Sequence, residues 1–253
     1  MHPLLLLCVL CAISPAMAAT GGAACDVTSP ECVLQALETA SAKGDPVAKI
    51  ELAQELLKAG TPESAERAVR LLSGVAARDD AWATILLAKL YREGKVVEQD
   101  GAKVLALLAP LAEANNAAAL TELGELYLAG ARSAPRDVAL AAKYFQRAAA
   151  IGDHWGMFQL ASLLISGEGV DRDIDQAVTL LEEVGTKGDP WVLITLGDLF
   201  AKDLAKPVEK AIPYYEQAAA SGNAAALTRL AQVYQTGLGS ELADPAKSRA
   251  FWE

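Results

Sequence analysis

The chain has 253 residues, a formal net charge of −10 and two histidines, with hydrophobic residues making up 53% of the sequence. An acidic chain without a basic run offers no counter-charge to phosphate backbones or anionic membrane surfaces, which excludes nucleic acid as a partner class. Residues 1–18 contain no Asp, Glu, Lys or Arg, so the whole formal charge lies in residues 19–253.

The N-terminus opens with an apolar run from Leu4 to Ile13, then Ser14-Pro15 and Ala16-Met17-Ala18. A hydrophobic region followed by a small-x-small site is the layout of a secretory signal peptide, here 1–18, and predicts a periplasmic mature protein. The run is too short to anchor in a bilayer, and no later segment predicts a transmembrane helix in the mature chain. A lipid anchor is argued against, because Leu10 precedes Cys11 and Gly22 stands three residues before Cys25. Residues 19–43 read as an N-terminal segment with a capping helix, which begins at Ser29-Pro30-Glu31. Beyond the signal region only Cys25 and Cys32 remain, an even pair compatible with one disulfide tying the N-terminus to that helix. No further Cys or His accompanies them as zinc ligands, and no metal or cofactor is expected.

From residue 44 onward one pattern repeats. Asp45, Asp80, Asn116, Asp153, Asp189 and Asn223 each open a helix-like apolar stretch, at separations of 35, 36, 37, 36 and 34 residues. A period in that range marks a helical solenoid whose units bury a core only by stacking. In the third unit helix A spans 117–129, with Asn116 as its N-cap and Gly130 at its end, and helix B spans about 137–150. Small residues recur in helix A at Ala53, Ala88, Gly124, Ala161, Gly197 and Ala231, and in helix B at Ala68, Ala141, Ala177 and Ala211. Missing side chains at fixed register let neighbouring helices approach closely. The first unit has one extra residue before Gly60, the fifth has Lys202-Asp203 in place of a turn glycine, and Pro110 and Pro213 predict kinks in B helices.

The segment Asn116-Ala-Ala-Ala-Leu-Thr-Glu-Leu-Gly124-Glu-Leu-Tyr127-Leu-Ala-Gly130 resembles the Sel-one-like repeat (SLR) family, relatives of the tetratricopeptide repeat. Gly167-Glu-Gly169-Val170 is similar to that family's turn between helices, and Ala148-Ala149-Ala150-Ile-Gly152-Asp153 to its closing motif. The resemblance covers 44–253 and implies an all-α, right-handed α-α superhelical solenoid of about six two-helix repeats. The last repeat reads as incomplete, because Phe251-Trp252-Glu253 aligns with Tyr214-Tyr215-Glu216, which continues for six more residues to Gly222. A fragment of a longer chain is the expectation, and an end covered by a partner is the alternative.

Two constellations invite chemistry. Trp82, Trp155 and Trp191 occupy one register, the second residue after the opening Asp. They form either a binding ladder or packing against helix B of the preceding unit. Asp171, Asp173, Asp175 and Glu182 match four positions of a calcium loop, but Gln176 stands where that loop needs glycine, so the acids read as caps of a helix. His154 is the lone histidine beyond the signal region, and no catalytic set is formed. Cysteine-rich relatives imply β-lactamase-like chemistry, which the missing cysteine pairs argue against.

The resemblance therefore implies a non-enzymatic, periplasmic scaffold or adaptor with protein partners in the bacterial envelope. Its settings would be exopolysaccharide secretion assembly or regulation of an envelope signalling receptor. Trp82, Trp155, Phe158, Trp191 and Arg229 are the expected partner-binding residues, on a face lined by helix A. A glycan-binding module using the Trp column is the alternative, with polysaccharide as its ligand.

Overall fold

A computed structural model describes residues 29–185, 188–202, 208–237 and 243–252. The signal region, Cys25, Lys187 and Asp203 lie outside the described residues, and with them the Cys25–Cys32 bridge and the turn of the fifth unit. Cys32 itself is buried.

Among the described residues the chain forms thirteen α-helices and one 3₁₀ turn, without a strand. In order they are α1 Pro30–Ala42, α2 Pro46–Ala59, α3 Pro62–Ala76, α4 Ala81–Glu93, α5 Gly101–Glu113, α6 Ala117–Ala129 and α7 Val138–Ala150. There follow α8 His154–Ser166, α9 Ile174–Gly185, α10 Pro190–Lys202, α11 Ala211–Ala220, α12 Ala224–Thr236 and α13 Pro245–Trp252. The 3₁₀ turn Val208–Lys210 leads into α11. The chain divides into two compact units, 1–136 and 137–253.

The six-fold Asp/Asn pattern is a row of N-caps. Backbone N–H groups donate to the side chains of Asp45, Asp80, Asn116, Asp153, Asp189 and Asn223, at 2.7–3.0 Å for the shorter bond of each. Each cap satisfies donors that the first helical turn leaves without partners. The B helices are capped in the same way by Thr61, Asp100, Asp137, Asp173 and Asp244. Asp173 is thus a cap, as its place in the acidic run predicts. Directly before each A-helix cap the chain needs a left-handed residue: Gly44, Gly152, Gly188 and Gly222 take it, and Asp79 (φ 63°) and Asn115 (φ 53°) do so in the other two units. Asp and Asn are the L-residues that tolerate that region best.

The core is a set of columns. Leu52, Leu87, Leu123, Leu160, Leu196 and Leu230 are buried at one A-helix register, each followed by the small residue read from the sequence. On the B helices Ala68, Val104, Ala141, Ala177 and Ala211 are fully buried, and four residues later so are Leu72, Leu108, Phe145, Leu181 and Tyr215. Burying one such large side chain is worth roughly 1.5–3 kcal/mol. Within each unit, the main packing joins consecutive helices, and successive A helices also touch: α4 with α6, and α10 with α12.

The first unit's extra residue lengthens α2 to 14 residues, against 13 in α4. Pro110 lies within α5. Pro213 differs from the sequence expectation of an interior kink: it falls in the first turn of α11, where its missing N–H would have no intrahelical acceptor. Phe251 stacks on Tyr234 at 5.8 Å between ring centroids, while Trp252 is exposed.

Candidate functional site

The second residue of α4, α8 and α10 is Trp82, Trp155 and Trp191, and their exposures are 54%, 51% and 67%. The local reason lies one residue further on. Ala48, Ala83, Ala119, Gly156, Val192 and Ala226, three positions after each cap, are all buried at the start of each A helix. A Cβ on Gly156 would stand 2.6 Å from the Ala148 Cβ of α7. With that contact taken by the next residue, the indoles lie off the buried stripe and project their surface outward. Sequence reasoning found the Trp register but not this buried register, whose signal was present in the same alignment of units.

In the second unit the structure brings three of the expected residues together. Trp155, Phe158 and Trp191, with Val184 and Val192, wall a cavity of about 550 Å³ between the starts of α8 and α10 and the end of α9. His154 and Asp189 are its polar lining. Trp155 and Phe158 stack at 5.6 Å with their planes 19° apart, so the two rings brace each other. Asp189 is held in place by its capping bonds from the Trp191 and Val192 N–H groups, at 2.9 and 3.4 Å. Trp82 stands in the first unit, on α4.

Arg229 does not line this cavity. Its guanidinium pairs with Asp198 on α10, with Nε 2.8 Å from Oδ1 and a bond of 3.2 Å from the second nitrogen to Oδ2. Asp198 also accepts the Tyr215 hydroxyl at 2.7 Å and approaches Lys202 Nζ at 3.2 Å. One carboxylate thereby ties α10, α11 and α12 together. Burial and this bond push the Tyr215 phenol up. Tyr214, half-buried beside Glu182, is pushed up to about 12, first by burial and then by its 2.7 Å bond to that carboxylate. In the first unit Arg92 plays a comparable part, reaching Glu122 at 2.8 Å and Glu125 at 2.7 Å. Burial raises the Glu122 carboxyl despite the opposing arginine. These networks hold helices together, and none of them carries an unengaged nucleophile beside a base. Among the described residues no His, Cys, Asp and Glu cluster could hold a metal ion, and no helix is long and apolar enough to cross a membrane.

Comparison with known proteins agrees with this architecture. The Sel1 repeat matches residues 117–153, 156–189, 203–223 and 224–253. The chain is 30% identical over 202 residues to the uncharacterized protein NMB1327 of Neisseria meningitidis serogroup B, covering 79% of this chain and 42% of that protein. It is 29% identical over 171 residues to the chitin synthase regulator SKT5 of Saccharomyces cerevisiae, covering 64% of this chain and 25% of that protein. The chain thus spans less than half the length of either relative. Among solved structures, c5321, a protective antigen present in uropathogenic Escherichia coli strains and displaying an SLR fold, superposes with a TM-score of 0.69 at 23% identity, over 87% of this chain and 48% of that one. A Sel1 repeat protein from Oxalobacter formigenes gives 0.63 at 24% identity, over 88% of both chains. Sel1 repeat proteins generally act as protein-interaction scaffolds, on a fold that is not itself catalytic. With its capped helix pairs, the chain carries four Sel1 repeats.

Proposed function

We propose that the protein is a scaffold or adaptor of the bacterial envelope, working in the periplasm, and that a partner protein docks an apolar segment into the groove of Trp155, Phe158 and Trp191. The observation that carries this reading is the pair of exposed indoles on helix starts whose positions are fixed by the Asp153 and Asp189 caps. Rigid aromatic surface in a preformed groove is the composition of an interface hot spot. The sequence of residues 1–18 supports export. Of the two envelope settings, exopolysaccharide secretion assembly is the better supported, since one relative is named as a regulator of a chitin synthase.

Crosslinking in envelope extracts tests the docking reading, comparing the native protein with the Trp155→Ala/Trp191→Ala variant at matched helicity. The expected result is loss of a partner adduct in the double variant. Undiminished crosslinking to the same protein by the variant would sink the groove as the docking site. Recovery of the native protein from the cytoplasm alone would sink the periplasmic placement.

Glycan binding is less well supported by the geometry. Among the described residues the groove's polar lining is His154 and Asp189, and one oxygen of Asp189 already caps α10. Sugar hydroxyls buried without partners cost affinity. Quenching of indole fluorescence by an envelope oligosaccharide would restore that reading.

A further inference from the structure

Resting on the docking reading above, we propose that the groove selects a cationic segment, one that presents arginine or lysine flanked by apolar residues. Two indoles and a phenyl ring line it, and a cation over an aromatic face is attracted by the ring's negative π surface. Among the described lining residues the acidic group is the exposed Asp189 carboxylate, two residues before Trp191 in sequence. Among the described residues of the turns before α8 and α10, the charged side chains are the carboxylates of Asp153 and Asp189. The positive ends of the α8 and α10 dipoles, which would repel a cation, are met by the carboxylates of Asp153 and Asp189. The chain as a whole carries −10, so the long-range field also favours a basic partner. An arginine suits this setting best: its planar guanidinium stacks on an indole, reaches a carboxylate with its N–H edge, and lays its methylene stem on Val184 and Val192.

The test is titration of the full chain with a short peptide in which arginine alternates with leucine, and with its counterpart carrying glutamine for each arginine. Binding is read by indole fluorescence and calorimetry. The arginine peptide should bind about tenfold more tightly than the glutamine peptide at low salt, and this ratio should shrink as salt is raised. Asp189→Asn, which keeps a side-chain cap on α10, should lose most of the ratio with helicity unchanged. Equal affinity for the two peptides would overturn the cationic selection while leaving apolar docking in place. Failure of both peptides, together with retained partner crosslinking by the double Trp variant, would remove the cationic selection and the docking reading alike. Quenching by a quaternary ammonium ion as strong as that by the peptide would overturn the peptide in favour of a small-molecule cation.

Discussion

At the scale of single residues, two tyrosines show how burial sets chemistry in this molecule. Tyr214 and Tyr215 are neighbours in α11, yet each donates to a different carboxylate, Glu182 on α9 and Asp198 on α10. Both phenols are pushed above their ordinary value, because the buried phenol is costly to ionise and a nearby carboxylate repels the phenolate. For Tyr214 the folded value is about 12, against 10.0 for the free group. The folded state therefore holds this proton longer than the unfolded chain does. Its contribution to stability is complete below the unfolded value and is lost as pH rises through the folded one. Urea denaturation across that alkaline window should show stability falling, with a shallower fall in Tyr214→Phe. An identical slope in the variant would count against the assignment.

At the scale of elements, helix pairs are defined by what stops and starts them. A left-handed residue ends the link, an Asp or Asn caps the next helix, and the residue three positions later is buried. Asp153 illustrates the unit because its carboxylate holds the first turn of α8, from which Trp155 and Phe158 project into the groove. Asp153→Ala should lower stability by about 1 kcal/mol in thermal melts and shift the indole emission, while Asp153→Asn should retain most of the native stability. Equal losses in both variants would mean that the charge, not the cap, is what matters there.

At the scale of the whole molecule, stability should be carried by nearest neighbours, since helices within each compact unit pack chiefly on their neighbours in sequence. Gly197 offers a probe. A methyl there would overlap the buried Tyr215 ring, which is fixed by its bond to Asp198. Overpacking of this kind costs about 1–3 kcal/mol. Hydrogen exchange on Gly197→Ala should therefore speed up in α10, α11 and α12 and stay unchanged in α2, α3 and α4. Uniform acceleration along the chain would contradict nearest-neighbour stability.

The sequence by itself determined the repeat, its caps and most of its core columns. Those features are local: a cap, a glycine and an apolar period need only their own helix to be read, and Asn116, Gly124 and Gly130 announced α6 to the residue. The outcome of the tryptophans could not be read in that way, because position two of a helix can face a neighbour or solvent. Only tertiary packing decided it, by burying residues such as Gly156 and Val192 and leaving Trp155 and Trp191 on either side of one groove. Packing also separated Arg229 from those tryptophans, since its charge is spent on Asp198 in the preceding A helix. Periodicity records which residues share a register; exposure depends on distances between helices, which no single period contains.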